Sequence, residues 1–338
     1  MTKIYKMTFM SILMVSTMIS ISAYTWLGMW MGLEINLLSI IPIIQNKNIL
    51  SSESSIKYFI TQALASTIIM MSIIMMMWKF NFSSNLNMNS NLLMIMNSSL
   101  LLKMGMAPVH FWFPEVLEGL NWNSCMLMLT WQKITPMMLL MYNTEFNMFF
   151  SSIIISGVII SSIMSMNQIS IRKIMAFSSI NHMSWMMASM IMKKTVWILY
   201  FIIYSIITIN ICLMLKNVFY INQLFPMLNT SPSMKMFFML NFMSLSGIPP
   251  FLGFLPKWMV IQTLIENNMF MLTMIMIMFT LIMIYVYMRI AMTTLIMKTN
   301  QSNWSLKLSM KMNKMPMSMI NFISMMSLVL VTIMLNMI

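Results

Sequence analysis

The stretch LSGIPPFLGFLPKW, from Leu245 to Trp258, decides how this chain is read. It lies inside an apolar segment, 235–266, that is longer than the ~20 residues a helix needs to cross ~30 Å of hydrocarbon. Within it stand Gly247, Gly253, Pro249, Pro250 and Pro256, followed at once by Lys257. A proline inside a helix removes a backbone donor and clashes with the carbonyl four residues back, so this helix is expected to stop and resume. A lysine beside the break is costly in lipid, roughly 3 kcal/mol at a helix centre, and such residues face a bundle interior, a partner charge or water.

Two more lysines share this setting. Lys103 sits in LLKMGMAPVHFWFPEVLEG within a second over-long segment, 91–120, next to Gly105 and Pro108. Lys133 sits in MLTWQKITPMM with Pro136 three residues on, flanked on both sides by apolar chain. Snorkelling from a helix end is the bland alternative for Lys103 and Lys257, and Lys133 is too deep for it.

The rest of the chain sets the class. Its 338 residues are 60% hydrophobic and 7% charged, with apolar runs recurring from end to end, the composition of a polytopic membrane protein. Runs such as IIMMSIIMMMW and MIMIMFTLIMIYVYM are apolar all round, which fits helices and not the alternating strands of a barrel. The predicted fold class is all-α, with about eleven crossings at 7–24, 26–44, 56–78, 91–120, 122–142, 148–166, 174–192, 196–215, 235–266, 269–288 and 317–337. The broken members are the fourth and the ninth. Two five-helix repeats, 1–142 and 148–288, followed by a C-terminal helix at 317–337 would place both breaks at matching positions. An odd-numbered repeat must be inverted in its second copy, and matched interruptions point to a transporter-type site near the bilayer midplane.

Charge tests this topology. The formal charge of +13 is dispersed among loops, unlike the basic stripe of a nucleic-acid binder, so no nucleic-acid partner is expected. On the N-terminal side lie Lys3, Lys6, Lys47, Lys57, Arg172, Lys173, Lys216, Lys235, Arg289, Lys298, Lys307, Lys311 and Lys314. The other side holds Lys79, Lys193 and Lys194, which leaves only the three intramembrane lysines of the nineteen basic residues. The bias places the N-terminus inside and the C-terminus outside. The Lys-rich stretch 298–314 reads as a loop near headgroups or another subunit.

Glu34, in WMGLEINLLSIIP, is the acidic residue deep in a predicted span, and Lys103 is its leading candidate partner. The pair is either structural or a switch that an arriving proton weakens. Carbonyls freed near Pro249, Pro250 and Pro256, helped by Ser244 and Ser246, can hold waters that relay protons to Lys257, and Pro136 is expected to open the backbone beside Lys133. His182, in SSINHMSWM, is a candidate relay between lysines, against the reading of a plain interhelical contact. His110 is expected to cap or line the first break, and Glu115 and Glu118 to make solvated loop contacts. Cys125 and Cys212 read as packing residues. No CxxC pair, cysteine cluster or Gly-rich loop is present, so no redox centre, metal or nucleotide is expected on this chain. The 56 methionines fit an AT-rich genome with a two-codon methionine code, and MTKIYK leads straight into an apolar run without an import signal. Synthesis inside an organelle is the expectation.

WMGLEINLLSIIP, LLKMGMAPVHFWFPEVLEG, LTWQKITP, SSINHMSWM and LSGIPPFLGFLPKW, in this order, resemble the antiporter-like membrane subunits of mitochondrial NADH:ubiquinone oxidoreductase (respiratory complex I), and among them the subunit 2 family in an insect-like version. The resemblance covers nearly the whole chain and matches the shortened animal form, which lacks three N-terminal helices of bacterial relatives. It implies inverted five-helix repeats and proton translocation through Glu34, Lys103, Lys133, His182 and Lys257, coupled to quinone reduction elsewhere. It also implies that flavin, iron–sulfur clusters and ubiquinone lie on other subunits. The implied partners are the other membrane-arm subunits in a hetero-oligomer and lipids such as cardiolipin, in the mitochondrial inner membrane with the N-terminus in the matrix and the C-terminus in the intermembrane space. A self-sufficient cation/proton antiporter and a structural scaffold whose charges lock helices together are the alternatives.

Overall fold

Apolar runs without water must satisfy their backbone internally, and the chain does so with helices. A computed structural model describes residues 2–45, 48–82, 90–144, 148–216, 218–228 and 232–296, and among these the regular elements are fourteen helices, joined only by one two-residue bridge between Ser170 and Tyr220. In chain order they are α1 (Thr2–Ser22), α2 (Trp26–Ile44), α3 (Ile49–Phe82), α4 (Ser90–Met104), α5 (Trp112–Gly119), α6 (Trp122–Leu129), α7 (Trp131–Met141), α8 (Met148–Ser165), α9 (Ile171–Met192), α10 (Lys194–Met214), α11 (Ile221–Leu228), α12 (Pro232–Ser246), α13 (Phe254–Glu266) and α14 (Phe270–Ile296).

Six of them, α1, α2, α3, α8, α10 and α14, contain stretches long and apolar enough to cross a membrane. The stretches 91–120, 122–142 and 235–266 each divide into two shorter helices: α4 with α5, α6 with α7, α12 with α13. α9 is too polar to count among the six, because Ser178, Ser179, Asn181, His182 and Ser184 interrupt its apolar residues. Every residue from Ile174 to Met190 is nevertheless buried, so its polar groups face other helices. The short amphipathic α11 was not among the expected segments. The expected crossing 317–337 and the Lys-rich stretch 298–314 lie outside the described residues.

Serine is tolerated in these helices because its hydroxyl returns to a carbonyl three residues back. Ser16 bonds Leu13, Ser39 bonds Asn36, Ser161 bonds Val158 and Ser178 bonds Met175 in this way, at 2.8, 2.8, 3.1 and 2.8 Å.

The chain forms two compact units, Met1–Ile153 and Ile154–Ile338, with the boundary inside α8. In the first, α3 lies against α2, α4 and α5, and α7 packs on α4 and α1. In the second, α9 packs on α10, α13 and α14, while α12 lies between α10 and α14. Each broken helix is thus built into the interior of its own unit.

Candidate functional site

The second break is closed by its own lysine. α12 ends at Ser246, and Gly247 takes φ 77°, the left-handed cap that glycine adopts without a Cβ penalty. α13 resumes at Phe254, and from its first turn Lys257 reaches back so that Nζ donates to the Ser246 carbonyl at 2.6 Å. Ser244 and Ser246 do not supply that donor. Their hydroxyls bond back to the carbonyls of Asn241 and Met243, at 2.7 and 2.6 Å. A serine always finds the carbonyl three residues earlier within reach, whereas the last carbonyls of a helix project beyond its end, where capping N–H groups and groups from across the gap can meet them.

The first break repeats this logic with different donors. α4 ends at Met104, Gly105 takes φ 70°, and the Met106 N–H bonds the Leu101 carbonyl at 3.1 Å, as in a Schellman cap. The next two carbonyls are met by side chains: Trp112 Nε1 donates to Leu102 at 3.2 Å and Gln62 Nε2 to Lys103 at 3.1 Å. Lys103 itself is buried in the last turn of α4. It lines a cavity of about 20 Å³ with Asn36, Tyr58, Gln62, Gln132 and Thr135, large enough and polar enough for one water.

Glu34, on α2, and Lys103 do not form an ion pair within 4.0 Å, and Glu34 Oε1 is buried without a hydrogen-bond partner. The direct contact suggested by the sequence is therefore not made in this structure. Charges separated in a medium of low polarity still interact over several ångströms.

Lys133 is the most enclosed of the three, 1% exposed in the first turns of α7. Its Nζ lies over the ring of Phe113, 5.3 Å from the centroid. The backbone beside it opens at Thr130, between α6 and α7, and not at Pro136, which stays inside α7. Pro136 still lacks the N–H that would meet the Gln132 carbonyl. The Gln132 side chain donates to Asn36 Oδ1 at 2.9 Å and lines the Lys103 cavity.

In the second unit His182 is buried on α9, with Nδ1 3.0 Å from the Tyr200 hydroxyl and its ring 5.1 Å from that of Tyr204. A cavity of about 10 Å³ opens among His182, Tyr200, Tyr204, Ser244, Gly253 and Pro256, next to the break that Lys257 closes. His110 lines the first break, where Nδ1 meets the Pro108 carbonyl at 3.1 Å. Glu115 is not merely solvated: it takes Lys57 at 3.1 Å, which also meets Glu53 at 3.0 Å. Cys125 and Cys212 are thiols buried in the packing and form no disulfide.

Sequence reasoning missed Asn36, Gln62, Gln132, Phe113, Tyr200 and Tyr204. Asn36 and Gln132 carried a signal, since each is a polar residue within two positions of Glu34 or Lys133 in an apolar run. Tyr200 and Tyr204 stand four apart on one face of a largely apolar helix, a spacing that lets both reach one partner. Gln62 and Phe113 gave no local signal, because only tertiary packing brings them to the breaks.

Comparison with known proteins agrees with this arrangement. The family described as NADH:quinone oxidoreductase/Mrp antiporter, TM, matches residues 23–284. The chain is 46% identical over 337 residues to NADH-ubiquinone oxidoreductase chain 2 of Anopheles gambiae, covering 98% of each. It is 47% identical over 338 residues to the protein of the same name from Aedes aegypti, again covering 98% of each. Among solved structures, a chain of respiratory complex I from Thermus thermophilus shares the fold, with a TM-score of 0.75 at 18% identity over 86% of this chain and 70% of that one. On its helix breaks, its buried lysines and these matches, the chain belongs to the NADH:quinone oxidoreductase/Mrp antiporter transmembrane family and groups with its NADH-ubiquinone oxidoreductase chain 2 members.

Proposed function

We propose that this chain is a membrane-arm subunit of respiratory complex I that translocates protons across the mitochondrial inner membrane, driven by NADH:ubiquinone oxidoreduction on other subunits. One observation carries the reading: Lys103, Lys133 and Lys257 each lie within four residues of a helix end inside the bundle, the second residue from the end of α4, the third of α7 and the fourth of α13. The ammonium is met by a helix-end carbonyl at Lys257, by an aromatic face at Lys133 and by a polar cavity at Lys103. Each lysine thus stands where groups of the bundle interior can support a protonated amine.

In the first unit, Glu34 attracts Lys103 without contact, so a proton arriving at either group changes the field at the other. Lys133, buried over the ring of Phe113, is the store. In the second unit, His182 and Lys257 serve as relay and terminal carrier. Flavin, iron–sulfur clusters and quinone sit on other subunits, and this chain contributes no cofactor ligand to the mechanism. Its partners are neighbouring membrane-arm subunits and anionic lipids such as cardiolipin at the Lys-rich matrix face.

The same proposal includes eleven crossings in two inverted five-helix repeats, 1–142 and 148–288, with a C-terminal helix at 317–337, the N-terminus in the matrix and the C-terminus in the intermembrane space. A correspondence between the breaks supports it. Each has a left-handed glycine directly after the helix end and a proline three residues on, Gly105 with Pro108 and Gly247 with Pro250.

The test is Lys133→Met in an assembled complex. Loss of proton translocation coupled to NADH oxidation, with normal complex content, is the expected result. Full pumping at the unmodified rate would remove Lys133 from the mechanism.

A further inference from the structure

The hydroxyl of Tyr200 is the best-placed polar group in the second unit that has no role so far. Tyr200 is 1% exposed on α10, inside a helix that is otherwise apolar enough to cross a membrane. A tyrosine buried this deeply finds a partner for its O–H, and here its hydroxyl lies 3.0 Å from Nδ1 of His182, which accepts from it in the tautomer protonated at Nε2. The same two residues border the cavity of about 10 Å³ whose far wall is Ser244, Gly253 and Pro256, the two sides of the break in the α12–α13 helix. That volume is at the lower limit for a single water. Lys257 follows Pro256 in the chain and closes the break on the Ser246 carbonyl.

We infer that Tyr200 is a proton-relaying residue, passing protons between the His182 imidazole and the cavity at the second helix break. This rests on the reading of the chain as a proton translocator. The transfer balances without a new charged intermediate on the tyrosine. With Nδ1 of His182 unprotonated, the Tyr200 O–H bond breaks as its proton moves to Nδ1, and in the same step the oxygen takes a replacement proton from a protonated water entering the cavity, which leaves as neutral water. The imidazole then carries the additional proton until it releases it, and the reverse sequence serves the opposite direction. Neither residue requires an oxidant or a metal.

The neighbouring groups define what else faces this pair. Tyr204 lies one turn along α10, with its ring against His182, and Tyr287 of α14 is buried within the same unit. Ser178 and Ser179 of α9 use their hydroxyls on the carbonyls of Met175 and Ala176. Tyr200 both meets the imidazole through a hydrogen bond and borders the cavity.

Tyr200→Phe removes one oxygen and keeps the ring, so it separates relay from packing. It is made in the complete respiratory complex, alongside Lys133→Met, and proton flux is measured per assembled complex so that any loss of content is divided out. The inference expects at least a threefold lower flux per complex for Tyr200→Phe, with Lys133→Met impaired as well. If Lys133→Met is impaired and Tyr200→Phe pumps at the unmodified rate, the tyrosine is a packing residue and the inference is overturned. If both variants pump normally, the translocation reading itself fails. Tyr200→Leu, which loses ring and hydroxyl together, is expected to lower both complex content and flux per complex. Recovery of flux but not content in Tyr200→Phe would again count against the relay.

Discussion

The Lys257 ammonium and the Ser246 carbonyl meet at 2.6 Å across the gap of a broken helix, eleven residues apart in sequence. The contact sets a cation at the C-terminal end of α12, where aligned peptide dipoles leave partial negative charge. Lys103 belongs to the equivalent last turn of α4, although it precedes its break and Lys257 follows its own. Two lysines at different register positions thus lie near the same end of a half-helix.

That relationship separates structure from proton transfer. Lys257→Met strands the Ser246 carbonyl and costs about 1–3 kcal/mol, the desolvation penalty of a buried unpaired acceptor. Lys257→Arg restores a donor but a guanidinium does not release its proton in a protein. The expected outcome is lower thermal stability for the methionine variant only, and lost proton flux for both. Normal flux in the arginine variant, measured with pH-sensitive dye in membrane vesicles, would show that Lys257 holds the break and carries no proton.

The glycines of the breaks make a second prediction. Gly247 has φ 77°, which costs a side-chain-bearing residue about 1–2 kcal/mol, and a Cβ there would lie 2.9 Å from Lys257 Cδ. Gly105 has φ 70°, with a Cβ meeting Phe113 Cβ at 2.8 Å. At Gly253 a Cβ would fall on the Ser244 carbonyl oxygen. Alanine at any of the three is expected to reduce the amount of assembled complex on native gels, with Gly247→Ala also displacing Lys257. Unchanged content for Gly253→Ala would mean that the α12–α13 gap opens more readily than its packing implies.

Much of this was legible in the sequence because membrane helices announce themselves by composition, and breaks by proline and glycine. Lys103, Lys133 and Lys257 stood out because charge in an apolar run has few innocent explanations. What the sequence left open were the partners. Ser244 and Ser246 read as the donors for freed carbonyls, but local geometry ties a helical serine to its own backbone. Pro136 read as the opening beside Lys133, while the chain breaks at Thr130, whose hydroxyl bonds back to Met126 at 2.7 Å. Gln62, Phe113 and Tyr200 come to their sites from distant segments, and no spacing rule reaches that far.

A charge facing Lys103 without touching it predicts non-additive mutants. Glu34→Gln leaves the lysine without its opposing charge, and Lys103→Met does the same to the glutamate. Removing one member of a buried pair leaves an uncompensated charge, whereas removing both does not. The double variant should assemble better than the less stable single variant, with a coupling of about 0.5–3 kcal/mol in thermal stability. Strict additivity would mean that Glu34 and Lys103 are insulated from one another, and the switch assigned to them would fall.

Phe113 offers the sharpest handle on Lys133. The ring contributes an attraction of about 2 kcal/mol to a desolvated ammonium lying over its face. Phe113→Tyr keeps that face and Phe113→Leu removes it while retaining apolar bulk. Complex content should be similar in both, since each fills the space beside Gly105. Proton flux per complex is expected to stay near the unmodified rate in the tyrosine variant and to fall several-fold in the leucine variant, as the ammonium form of Lys133 loses the ring over which it lies. If leucine supports the same flux as tyrosine, measured at matched NADH oxidation rates, the ring matters only for packing and Lys133 is held by its other neighbours.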